Sequence, residues 1–163
     1  MDNSHLDGES YVNIGAIAGR ASVAPSNESV LPLHPVSAVR SGTTVVVTFH
    51  NPSGTALVFD LTRFNNYPDG NYGFFWKDDS NSAIITNVTI TNSTTVTITL
   101  DQVPTGANPQ IRIADRTDPE PVDPINVTHT GKRCALRDSS TDLDSAGNRM
   151  YNWACIFRIN VTQ

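Results

Sequence analysis

The chain has 163 residues, enough for one domain with a proper core and a short appendage, but not for two full domains. Its net charge is −5, with lysine only at Lys77 and Lys132 and nine scattered arginines, so nucleic acid and anionic membrane surfaces are poor partners. Charged residues make up 17%, below the roughly 25% typical of soluble domains. Thr, Asn and Ser fill the gap, a surface common on extracellular, virion and sugar-binding β proteins.

No stretch approaches the ~20 apolar residues of a membrane-spanning helix. No basic segment precedes a short apolar one, so no signal peptide is expected. The expected location is a virion or the extracellular space, reached as part of something larger or by lysis.

Residues 7–23 carry a helical period: Tyr11, Ile14, Ala18 and Ala21 share one face, Asp7 can cap it and Pro25 stops it. Residues 24–35, with three prolines, read as a linker. From Val36 the period changes to two. Strands are expected at 43–50, 56–62, 72–77, 83–90, 94–100, 110–114 and 150–161, separated by turn residues. In the last of these, Tyr151, Trp153, Cys155, Phe157 and Ile159 share a face, with Trp153 read as core. Residues 115–149 are polar and aperiodic, a loop long enough to suggest a functional role or another source of order. The fold expectation is mainly β: an antiparallel β-sandwich of about seven or eight strands, preceded by one N-terminal helix. Its domain is expected over 36–163.

Asp2 and His5 form D-x-x-H. A carboxylate at that spacing can orient a His as base for a nucleophilic hydroxyl; the same residues also suit a polar N-terminal turn. The run D-N-S-H-L-D-G-E-S-Y-V-N-I-G resembles the C-terminal end of SGNH (GDSL-type) hydrolases, where Asp-x-x-His-Leu precedes a final amphipathic helix. Asp2 and His5 match the acid and base; Leu6, Tyr11 and Gly15 match the flanks. The resemblance covers residues 2–23. It implies His5 as general base and Asp2 as its orienter on an acyl ester, such as an O-acetylated polysaccharide, only within a longer chain. The nucleophile block and oxyanion-hole residues of such a domain would lie upstream. Ser139 follows Asp138, but Arg137 stands where the family has Gly. No hydrolysis is expected from this chain on its own.

The segments VVVTFHNPSGTALVFD, YPDGNYGFFW and GKRCALRDSS with NRMYNWACIF resemble the accessory β-domain that follows SGNH hydrolase domains in phage, prophage and bacterial proteins. The matches are Val45, Val47, Phe49, Leu57 and Asp60; Asn71 to Phe74; Leu136 to Ser139; and Tyr151, Asn152, Trp153 and Phe157, within about residues 36–161. This resemblance implies a carbohydrate-binding or assembly module. Its expected partners are a polysaccharide or glycan surface, an upstream SGNH domain or other virion subunits, and further copies of the chain as a homo-oligomer. The alternative is a virion decoration or fibre protein with no sugar ligand.

Candidate ligand-binding residues are Tyr67, Tyr72 and Trp76, whose rings could stack on sugar faces, although core is the commoner fate of an aromatic here, with Arg137 and Asp138 as a charged fork for hydroxyls. For Arg137 the competing reading is a structural ion pair with Asp138 or Asp60, pinning the long loop to the sheet. Asp142, Asp144 and Asn148, with Gly147, loosely resemble a calcium loop. Ala146 occupies a ligand position and no Glu closes the site, so a polar turn is the simpler reading and no metal or cofactor is expected. Cys134 and Cys155 are a disulfide candidate closing a loop of about 20 residues, worth about 3 kcal/mol, or two buried thiols.

Overall fold

The computed structural model describes residues 31–62, 70–114, 134–144 and 146–163, with isolated positions 15, 18 and 19. Its elements are β1 (His34–Ser41), β2 (Thr44–His50), β3 (Leu57–Phe59), β4 (Phe74–Lys77), β5 (Ile85–Ile90), β6 (Thr95–Leu100), β7 (Gln110–Ile113), β8 (Leu136–Asp138) and β9 (Phe157–Asn160). The chain is mainly β, and its strand pairs are antiparallel. They form sheets of order β1-β2-β6-β5, β4-β7-β9 and β3-β8.

Alternation dictates the faces. In β2, Val45, Val47 and Phe49 are buried; in β6, Val96, Ile98 and Leu100 are. The register sets Val45 opposite Ile98 and Val47 opposite Val96, so the apolar side chains form one continuous layer. The threonines between them point the other way, where β-branched side chains suit a half-exposed pleat. In the three-stranded sheet, Phe74, Ile111 and Ile113 are wholly buried. Both inner faces contribute to a single core. The Phe49 ring meets Phe74 edge-on at 6.5 Å and Phe157 at 5.9 Å. Each such side chain contributes about 1.5–3 kcal/mol by leaving water.

Local chemistry sets the turns. Gly42, at φ +60°, closes the β1–β2 hairpin. In the β5–β6 connection, Asn92 Oδ1 accepts the Thr94 N–H at 2.8 Å. Beyond β9 the chain crosses to β1. Val39 and Thr162 form a parallel bridge, and Arg40 donates its N–H to the Thr162 carbonyl at 2.8 Å. This contact ties the two larger sheets together at an edge and covers part of β1.

Several expectations are corrected. The helix over 7–23 is not supported: it lies outside the described residues except for Gly15, Ala18 and Gly19, and Ala18, assigned to its apolar face, is exposed. Strand β1 takes in the end of the expected linker, and Leu33 just before it is wholly buried. The strand expected over 56–62 shortens to three residues. The strand expected over 150–161 keeps only its last part as β9; Cys155 is exposed and Trp153 half-buried. The aperiodic segment 115–149 contains β8, paired with β3.

Candidate functional site

The short β3–β8 pair organises a polar and aromatic cluster. β3 ends at Phe59, and the next residue, Asp60, is 6% exposed. Asp60 Oδ1 accepts the Thr62 N–H at 2.9 Å and the Thr62 hydroxyl at 2.6 Å. This is the short-range bonding that Asp offers at a strand end, in place of a continued ladder. Its Oδ2 accepts from Arg137 Nε at 2.7 Å. Burial pushes the Asp60 carboxyl up, but the Thr62 hydroxyl, the Arg137 guanidinium and the Thr62 N–H outweigh it and hold it at about 2.

Arg137 sits in the middle of β8, directly opposite Val58. Its Nη1 donates to the Asp138 carbonyl at 2.7 Å, and its guanidinium lies 3.7 Å from the centre of the Tyr151 ring. Trp153 lies further out, at 6.0 Å, and bridges the Arg137 backbone. The planar cation is thus fixed by a carboxylate, a carbonyl and an aromatic face together.

Asp138 is wholly buried. Its Oδ1 accepts the Asn152 N–H at 2.9 Å and the Ser140 N–H at 3.2 Å; its Oδ2 accepts from Asn152 Nδ2 at 2.6 Å. It anchors the 150s segment to β8 and offers no surface to a ligand. Tyr72 stacks on Phe59 at 4.0 Å and 14°. Its carbonyl accepts the Ala135 N–H at 3.2 Å, and the Ala135 carbonyl accepts the Asp60 N–H at 2.8 Å, so Tyr72 joins the same cluster through the backbone. Tyr72 holds φ +52°, a left-handed backbone that is uncommon for a bulky residue.

Tyr72, Arg137 and Asp138 therefore come together. Trp76 is elsewhere, on β4. Its indole nitrogen is buried and helps to hold the Asp78 carboxyl below its ordinary value. Burial pushes Asp78 up, and bonds from Ser80 and Asn81 outweigh it. Tyr67, Asp2 and His5 lie outside the described residues.

The described residues of the 142–148 segment close on one another. Asp144 Oδ1 accepts the N–H groups of Ala146 and Asn148, both at 2.8 Å, and Oδ2 accepts from Asn148 Nδ2 at 3.0 Å. Among the described residues no group of three or more His, Cys, Asp or Glu is placed to hold a metal. Cys134 and Cys155 carry free thiols. Burial pushes the Cys134 thiol up to about 12.

The sequence reading missed Tyr151 and Asn152 as members of the cluster. Their neighbour Arg137 was in view; what was lacking was the pairing of 137 with 153. Chemically, the cluster offers aromatic rings beside a fixed guanidinium, groups suited to apolar sugar faces and to hydroxyls. Comparison with known proteins finds no family model, no curated protein and no solved structure that matches this chain.

Proposed function

We propose that this chain is a carbohydrate-binding β-sandwich module of a virion or cell-surface protein, with the four- and three-stranded sheets as its two layers. The observation that carries the reading is the Arg137 guanidinium held 3.7 Å over Tyr151, with Trp153 beside it and Tyr72 joined through Ala135. A rigid cation next to aromatic rings costs little side-chain entropy when a flat, hydroxyl-rich ligand settles on it. In this proposal the ligand is a polysaccharide and the chain has no catalytic role of its own. An SGNH-type esterase upstream would use Asp2 and His5; that part rests on the resemblance at residues 2–23.

The test is retention of the purified chain on a broad glycan array and in affinity electrophoresis. Trp153→Ala and Tyr72→Ala should each weaken retention about tenfold, the loss of one stacked ring at about 1.4 kcal/mol. A folded chain that is retained by no glycan would sink the proposal. A second reading, a virion structural subunit without a sugar ligand, is favoured by one feature. Val39 and Val46 face each other across β1 and β2 and are 48% and 38% exposed. Stable association with virion proteins, without glycan retention, would select it.

A further inference from the structure

His34 and His50 are directly opposed across the β1–β2 pair, and directly opposed residues on one face bring their Cβ atoms within about 5.5 Å. Their ring centres are 5.2 Å apart, with the planes tilted by 40°. With metal–nitrogen bonds of about 2.0–2.1 Å and a tetrahedral angle, two imidazoles on one cation place their ring centres about 5 Å apart. The observed spacing meets that requirement.

The protonation pattern agrees. His34 Nδ1 lies 2.7 Å from the Pro32 carbonyl oxygen. A carbonyl only accepts, so Nδ1 carries the hydrogen. In the neutral ring, Nε2 is then left with its lone pair, the arrangement in which a backbone carbonyl orients a metal-binding imidazole. Across the strand, His50 Nε2 is buried and has no hydrogen-bond partner. A buried polar nitrogen without a partner is rare, and an ion is one of the few things that satisfies it. Two imidazoles suit zinc, nickel and copper rather than calcium or magnesium.

We propose that His34 and His50 form a two-imidazole chelate for a divalent transition cation of the zinc, nickel and copper class, bound through Nε2 of each ring, with water completing the shell. Among the described residues no third His, Cys, Asp or Glu joins them, so the bound cation exchanges readily. The chelate is independent of the sugar-binding reading, since it uses neither Arg137 nor the rings around it.

The probe is zinc ion titrated into the full chain, followed by ring-nitrogen NMR and by calorimetry in a His5→Gln, His129→Gln background. The expected result is that Nε2 of His34 and His50 shift together with one midpoint, while Nδ1 of His34 stays protonated. His34→Gln and His50→Gln should each weaken zinc binding about a hundredfold, because a second ligand on one scaffold acts at high effective concentration. Calcium at the same concentration should leave both rings unmoved. The chelate is overturned if only one ring responds, if coordination is through Nδ1 of His34, or if either single substitution costs less than threefold. The NMR result with His34 and His50 both intact decides the matter even if one of the single variants folds poorly.

Discussion

Replacing Arg137 by Leu removes the cation that faces Asp60 but keeps enough bulk to cover Tyr151. In the native protein Asp60 is held at about 2, against 3.8 for an ordinary Asp. At about 1.4 kcal/mol per pKa unit, the contacts that hold it there contribute about 2 kcal/mol at neutral pH. Substitution also leaves a carboxylate that is 6% exposed without its cation, and breaking a buried pair from one side costs about 3–5 kcal/mol. The two Thr62 bonds survive, so the lower end, about 3 kcal/mol, is expected. A depressed carboxyl pKa gives stability that is complete above the unfolded value and is lost as pH falls through the folded one. The native protein therefore loses this contribution between about pH 4 and pH 2. In Arg137→Leu the folded pKa rises, so the deficit relative to the native protein narrows with acidification, by at least about 1 kcal/mol between pH 7 and pH 2.5. Urea unfolding followed by tryptophan fluorescence at both pH values measures the difference. A deficit below 1 kcal/mol at pH 7, or one that stays constant with pH, would refute the assignment of Asp60 and Arg137 as a buried, mutually dependent pair.

Asn152→Ala should destabilise the fold by about 1–3 kcal/mol, because it strips the Nδ2 donor from the wholly buried Asp138; a thermal melt at neutral pH reads it. Gly106→Ala should cost about 1–3 kcal/mol, since a Cβ there would lie 2.6 Å from both Asp78 Cγ and the Ser80 backbone nitrogen; calorimetry of the variant tests this. Under reducing conditions at pH 8, iodoacetamide should modify exposed Cys155 and spare Cys134, whose thiol burial pushes to about 12. Mass spectrometry of the intact chain should find one adduct.

Strands β2 and β6 were legible because each buries a single face, so the period of two is written directly into TVVVTFH and TVTITL. Strand β1 escaped because the register shifts between Pro35 and Ser37, which breaks the alternation where the chain leaves the proline-rich stretch. Strand β8 escaped for a different reason. Leu-Arg-Asp is three residues long, with one apolar side chain, and exists only because Leu57–Phe59 lies opposite. The 150s misled in the other direction. Alternating Tyr151, Trp153 and Cys155 look like a strand face, but Asn152 is captured by Asp138, fourteen residues away, and the chain follows that bond. The Arg137–Asp60 pair was foreseen as one of two readings; its geometry was not, since the residues are 77 apart in the chain. His34 and His50 stand eight residues either side of Gly42, so a hairpin centred there would have brought them face to face.

The crossing of the chain from β9 to β1 has a kinetic consequence. Thr162 hydroxyl and amide both reach the Ala38 carbonyl, 124 residues back in the chain. Contacts of that separation have the largest closure entropy to overcome before they stabilise anything, and they slow folding. On the ribosome, the β1–β2 hairpin can form as soon as His50 emerges, yet one side of β1 stays without this partner until residue 162 has been made. Until then that edge is an open template for pairing with other strands, so the yield of folded protein depends on how quickly residue 162 follows.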